Sequence, residues 1–287
     1  MKELFILDGH YHVHRAWRAP IHITLTSPTG EPTNGIYIFT TSLLKLIREQ
    51  EPDMLVVAME GRGPTFRSEL YNDYKATRSR PSDDFIAQRN KIEEILEAMN
   101  IPVIRVNGYE ADDIIGTLAK KVSADGHEVF ICSNDKDMLQ LVDSNVNIFD
   151  VKTGDTTDLR GMIEKTGVSP DKFVDYLALQ GDSADNILGI PYVGSKTAAQ
   201  WINEYGSIEN LIEHIDELKK SRRKDSLLEF KDRLPLNKVL VTIMCDVPIR
   251  IDYDSFAMKE FDRDKLREIF TELGFSRLID NLGLGGE

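Results

Sequence analysis

Four short apolar runs in this chain each lead directly into carboxylates. Glu3–Leu7 ends at Asp8-Gly9, and Met54–Met59 ends at Glu60. Ile101–Val106 leads through Gly108-Tyr109 to Glu110, Asp112 and Asp113, and Glu128–Cys132 leads through Ser133-Asn134 to Asp135 and Asp137. Runs this short and this continuously apolar suit strands covered on both faces. Helix-patterned stretches, including about 36–49 and one opening at Ile114, alternate with them. That order predicts an α/β fold with a mainly parallel central sheet flanked by helices. The strands of a parallel sheet end on one edge, where the sites of open α/β sheets lie, so the acids should converge there. An acidic helix start, which the helix dipole favours, explains Glu110–Asp113 alone about equally well. Repetition at four junctions favours a site where a cation relieves the repulsion between crowded carboxylates.

Further along, Val146–Val151 reads as a fifth strand, and Ser82 reads as the N-cap of a helix whose apolar face is Phe85, Ile92, Leu96 and Met99. Residues 20–35, rich in Pro and Gly, read as a loop. The second half is helical. Phe173–Gln180 runs into Gly181-Asp182-Ser-Ala-Asp185-Asn186, and Gly189-Ile-Pro-Tyr-Val-Gly194 precedes a helix beginning Ser195-Lys196-Thr197. Such a hairpin exposes backbone N–H groups at a helix start, which suits a phosphate, although an ordinary turn between helices fits the residues equally. The helical tail, 262–284, ends in Gly-Gly-Glu, which should fray.

The net charge of −13 argues against a polyanionic partner when taken as a whole. Bases nevertheless cluster in Arg62, Arg67, Lys75, Arg78 and Arg80, with aromatics interleaved, and again in Lys219–Lys224. The second run is a solvated face or a DNA contact. His10, His12 and His14 have the spacing of a metal chelate but lack a nearby thiol or third nitrogen, so solvated or DNA-facing histidines are the simpler reading. An oxygen-only donor set favours Mg²⁺ or Mn²⁺ over zinc. No run is long enough to span a bilayer, and Cys132 and Cys245 sit in apolar runs like reduced core thiols. The expectation is a cytoplasmic protein without a membrane partner.

With those residues collected, the chain resembles the 5′-nuclease family: the 5′→3′ exonuclease domain of bacterial DNA polymerase I, phage flap endonucleases and, more distantly, eukaryotic ones. The likeness runs from Asp8 to about Asp246. It rests on Leu-Asp8-Gly, Gly-Pro-Thr-Phe-Arg67 through Tyr74-Lys75-Ala-Thr-Arg78, Gly-Tyr-Glu110-Ala-Asp112-Asp113, Asn-Asp135-Lys-Asp137, Gly181-Asp182-Ser-Ala-Asp185-Asn186 and Gly189-Ile-Pro-Tyr-Val-Gly194-Ser-Lys196-Thr-Ala. The resemblance implies a structure-specific 5′→3′ exonuclease and 5′-flap endonuclease of replication and repair, using two Mg²⁺ ions for which Mn²⁺ can substitute. One metal group corresponds to Asp8, Glu60, Glu110 and Asp112 with Asp113 close by, and the other to Asp135, Asp137, Asp182 and Asp185. It places a helical arch at about 66–98 within a nuclease domain of 1–168. A helix–three-turn–helix element at about 173–204, within 169–287, would grip duplex backbone through Gly189, Val193, Gly194, Ser195, Lys196 and Thr197 and hold K⁺.

Within that resemblance Lys75 contacts the scissile phosphate, while Arg78 and Arg67 hold its neighbours; surface pairing with Glu69 or Asp73 is the plainer alternative. Tyr11, Tyr71 and Tyr74 stack on an unpaired base or belong to the core. Asp8 and Asp112, with Lys75 and Arg78, are the catalytic candidates. The partners implied are flapped, gapped or nicked DNA and a DNA polymerase, linked or separate, with the nuclease acting as a monomer. Two positions depart from the family: Glu60 stands where aspartate is usual, and Tyr192 where a small residue is usual. Loss of catalysis through Glu60 would leave a structure-specific DNA-binding protein, and a phosphatase of small esters would leave the basic stretch and the hairpin without use.

Overall fold

The computed structural model describes residues 1–20 and 25–285. Residues 21–24 of the expected 20–35 loop, and the last two residues of the expected frayed end, lie outside these. In chain order the elements are β1 (Glu3–Asp8), α1 (Gly9–Trp17), α2 (Asn34–Gln50), β2 (Met54–Ala58), α3 (Phe66–Leu70), α4 (Asp83–Ala98), β3 (Val103–Ile104), α5 (Ala111–Ala124), β4 (Glu128–Cys132), β5 (Val146–Phe149), β6 (Thr156–Thr157), α6 (Leu159–Thr166) and α7 (Pro170–Gln180). Then come β7 (Gly181–Asp182), β8 (Ile187–Leu188), α8 (Ser195–Tyr205), α9 (Ile208–Glu213), α10 (Arg222–Phe230), α11 (Leu234–Val241), α12 (Tyr253–Phe256), α13 (Arg263–Glu272) and α14 (Ser276–Asn281).

The central sheet runs β3-β2-β1-β4-β5-β6, parallel except for β6, which pairs antiparallel with β5. β1 is the middle of the fan: β2 pairs on one side and β4 on the other, so the chain reverses direction across the sheet at β1. Side chains alternate between faces along a strand, and the core divides accordingly. Leu4, Ile6, Met54 and Val56 join α5, α7, α8 and α11 on one face. Phe5, Leu7, Leu55 and Val57 join α1, α2, α4, α13 and α14 on the other.

Two departures from the sequence reading follow from this packing. The tail does not stay with the helical second half; α13 returns to α4, where Lys91 and Lys265 pair with Glu272 and Glu97 and Asp262 N–H donates to Ala98 O. Of the stretch expected to form an arch, α4 is capped by Ser82 and buries Phe85, Ile92 and Leu96 against α2 and α13. It therefore belongs to the body. Only residues 66–82, a short helix and a series of turns, lie over the sheet edge.

Candidate metal centre and nucleic-acid interface

The acid-bearing junctions meet as the sheet topology requires. Asp8, Glu60, Glu110, Asp112, Asp135, Asp137, Asp182 and Asp185 all line one open cleft of about 850 Å³, together with Lys75 and Arg78. Asp8 closes β1 and caps α1, its Oδ1 accepting from Tyr11 N at 2.9 Å and its Oδ2 from the Ser133 hydroxyl at 2.8 Å. Glu110 caps α5, which puts Asp112 in the first turn. Asp135 caps the 3₁₀ turn Lys136–Leu141 by accepting from Asp137 N. Asp182 ends β7 and Asp185 sits on the loop from β7 to β8, the pair of short strands that leaves α7.

The turns over the edge are pinned to that loop. Lys75 N donates to Asp185 O, and Asn186 Nδ2 donates to Asp73 O. Lys75 Nζ lies 2.6 Å from Glu110 Oε1 and 3.8 Å from Asp185 Oδ2. Arg78 reaches Asp185, and Lys136 reaches Asp182 at 3.0 Å. Burial opposes the Lys75 charge, but Glu110 and Asp185 outweigh it and hold the ammonium firmly protonated. Tyr74 is buried, and its hydroxyl lies 3.0 Å from both Glu110 Oε2 and Asp185 Oδ2, its one proton serving either carboxylate and bridging the two acid groups. It is not free to stack on a base. Tyr71 is half-buried and packed against the core.

Burial and mutual repulsion leave the carboxylates short of countercharge. Burial, then Asp135 and Asp182, push Asp137 up to about 7. Burial, opposed by hydrogen bonds from Tyr11 and Ser133, leaves Asp8 at about 6. Asp112 is raised well above the usual range, first by burial and then by Asp8. Among the described residues no three acid, imidazole or thiol groups are drawn into a finished ligand set. The donor set still fits hard cations: it is all oxygen, and Asp137 Oδ1 is buried without any hydrogen-bond partner. Metal affinity should therefore follow the proton. Both carboxyls lie above their ordinary 3.8. The stability they contribute is complete below about pH 4 and lost as pH rises through 6–7 in chelator. Over the same window Mn²⁺ affinity should rise by about tenfold per pH unit for each carboxyl still protonated. Calorimetric titration at pH 5.5 and 7.5 checks this, and equal affinities would contradict it.

Two expected site residues are elsewhere. Arg67 is 2% exposed and cannot reach DNA. Its guanidinium forks onto Asp113 at 2.8 and 2.7 Å, reaches Glu110 Oε2 at 3.2 Å, and donates to the carbonyls of Leu240 and Thr242. Asp113 is fully buried, and its Oδ1 also accepts from Met244 N. It is the counterion of Arg67, facing away from the cleft that Asp112 lines. The histidines are not a chelate: His12 bonds Cys132 O, His14 stacks on Phe85, and His10 lies 3.5 Å from Glu60. Burial lowers all three to about 4, so they are neutral at pH 7. Sequence reasoning missed Ser133, which orients Asp8, and Lys136, which faces Asp182. The Ser-Asn-Asp run after β4 was the available signal for the first.

At the hairpin, Gly189 is required by close approach: a Cβ there would lie 2.1 Å from Gln180 O. Val193 is buried and its N–H is taken by Ile190 O, so it offers neither side chain nor N–H to a ligand. Gly194 caps α8 without a side chain, which leaves the first N–H groups of α8 uncapped beside exposed Ser195 and Lys196 and half-buried Thr197.

Residues 3–167 match the family model described as 5′-3′ exonuclease, N-terminal resolvase-like domain, and residues 168–264 match the 5′-3′ exonuclease, C-terminal SAM fold. DNA polymerase I of Caldicellulosiruptor bescii is 38% identical over 98% of this chain and 34% of its own length. DNA polymerase I of Bacillus subtilis is 37% identical over 98% and 32%. The chain thus spans about a third of the curated relatives it matches. Among solved structures, the T5 5′-exonuclease with bound zinc superposes with a TM-score of 0.71 at 21% identity, covering 96% of this chain and 99% of that one. The catalytic core of Rad2 in complex with DNA substrate gives 0.67 at 16% identity, covering 100% and 92%. These two likenesses are of fold.

Proposed function

The chain belongs to the 5′-3′ exonuclease family, and we propose that it is a divalent-metal-dependent nuclease that cuts 5′ flaps and removes 5′ nucleotides from gapped or nicked duplex DNA. The observation that carries this reading is the convergence of eight carboxylates, one with an orphaned buried oxygen, under a lysine and an arginine in one open cleft. Asp8, Glu60, Glu110 and Asp112 form one proposed Mg²⁺ group, and Asp135, Asp137, Asp182 and Asp185 the other. Glu60 lines the same cleft, so the longer side chain keeps its charge within the site. When bound, divalent cations supply Lewis acidity for the nucleophile and charge neutralisation at the leaving 3′ oxygen.

The chain's own groups do the rest. Lys75 Nζ, held over Glu110, offers an ammonium to the scissile phosphate, and Arg78 a planar fork to its neighbour. Tyr74 fixes the separation of the two acid groups through its hydroxyl. The uncapped start of α8 and Lys196 take duplex phosphates, which carry no base information, so binding is sequence-tolerant. K⁺ at this hairpin, action as a monomer, work beside a DNA polymerase in replication and repair, and a cytoplasmic location belong to the same proposal; they rest on family membership. Among the described residues no helix is long and apolar enough to cross a membrane.

The test is cleavage of an end-labelled 5′-flap duplex. A short product near the branch point should form with Mg²⁺ and vanish with EDTA. Shifted but uncut DNA in Mg²⁺ would instead mark a binding-only protein. Lys75→Ala should slow single-turnover cleavage by about 10²-fold with affinity changed only a few-fold. A loss of affinity alone would remove Lys75 from the chemistry.

A further inference from the structure

The hairpin carries a residue its geometry does not favour. Val193 N donates to Ile190 O, closing a turn with Pro191 and Tyr192 at its centre. Tyr192 has φ +65. Proline followed by a positive φ is the pattern of a type II turn, whose third position favours glycine because a side chain there meets its own backbone. The other non-glycine residues at positive φ among those described are Glu51, which caps α2, Lys75 in the cleft, and Asn100 and Asn186, a residue type that tolerates it. Strain kept without a compensating contact points to use, and the Tyr192 side chain makes no burying contact: it is 67% exposed.

The turn under it is rigid. Ile190 and Val193 are buried, Ile190 N donates to Leu179 O, and Arg223 Nε donates to Tyr192 O from α10. Arg223, the cation shown to reach this turn, follows Lys219, Lys220 and Arg222 in the basic run, and Lys196 follows four residues after Tyr192; all five are exposed, and none forms an ion pair among the described residues. A rigid aromatic set among unpaired cations, beside open N–H groups, suits a polyanion that also offers an apolar surface.

We propose that Tyr192 is a duplex-DNA contact, its ring packing on the deoxyribose of the strand whose phosphates face the start of α8 and the Arg223 side. This rests on the hairpin being the duplex grip proposed above. A folded aromatic with few rotatable bonds offers contact area at low entropic cost, which is what the strained turn secures.

The probe is a fluorescein-labelled 5′-flap duplex, titrated in EDTA and followed by anisotropy, with the labelled single strand in parallel. Tyr192→Gly should weaken duplex binding by about tenfold, leave single-strand binding alone, and keep or raise Tm, because glycine relaxes the turn. A merely structural tyrosine would lower Tm instead. Tyr192→Phe should bind the duplex like the parent, and behaviour like Tyr192→Gly would overturn the ring contact. Lys196→Glu separates the two readings. If it weakens duplex binding and Tyr192→Gly does not, the inference falls and the hairpin grip stands; if neither does, both fall.

Discussion

Asp112→Asn should slow phosphodiester hydrolysis by about 10³-fold while leaving DNA affinity in EDTA unchanged or tighter. The substitution keeps the shape of the side chain and removes one charge from the wall of the cleft. Metal-assisted charge neutralisation contributes several kcal/mol to such a reaction, and each ~1.4 kcal/mol is a factor of ten. The phosphate contacts assigned to Lys75, Arg78 and the hairpin do not pass through Asp112. Stability should move the opposite way. Asp112 is held above its ordinary pKa by burial and by Asp8, so removing it relieves repulsion, and Tm in chelator should rise. Single-turnover cleavage, anisotropy and a melting curve measure the three effects. A wild-type rate in Mg²⁺ would remove Asp112 from the metal group.

Arg67→Ala should act almost entirely on stability. Its removal leaves the Asp113 carboxyl fully buried and without its guanidinium partner, and frees the carbonyls of Leu240 and Thr242. Breaking such a pair from one side costs about 3–5 kcal/mol. That corresponds to a fall in Tm on the order of 10 °C. Asp113→Asn on the same background should recover part of the loss, because the uncompensated charge is then gone. Retained Tm with weakened DNA binding would instead return Arg67 to the phosphate-contacting group that its place in the basic run suggested.

The comparison of Arg67 with Lys75 and Arg78 shows where sequence reasoning stops. All three lie in one basic, aromatic-laced run, and nothing local separates them. What holds Arg67 in the core is Asp113 together with the carbonyls of Leu240 and Thr242, partners distant in the chain and brought in only by the fold. Asp112 and Asp113 differ for a simpler reason: successive residues on a helix point about 100° apart, so one lines the cleft and the other the core. The strands, by contrast, were legible because apolar runs ending in acid are local signals: β4 spans the residues its pattern predicted, while only Val103–Ile104 of the run 101–106 and Val146–Phe149 of the run 146–151 pair as strand. β6, β7 and β8 are two residues each and carry no period to read. The return of α13 and α14 to α4 was equally hidden, since an amphipathic helix announces that it has an apolar face but not what covers it.

That return decides which stretch of the chain can fold by itself. The two family modules meet near residue 167, yet neither carries a finished core. Residues 1–168 alone would uncover the stretch of α4 around Lys91–Ala98 on which α13 lies, and would strand Arg67 without its carbonyl acceptors. The piece that can be excised, fused ahead of another domain or expressed alone is therefore the whole span through α14. Within it, melting should proceed as one transition and not as the separate loss of two modules.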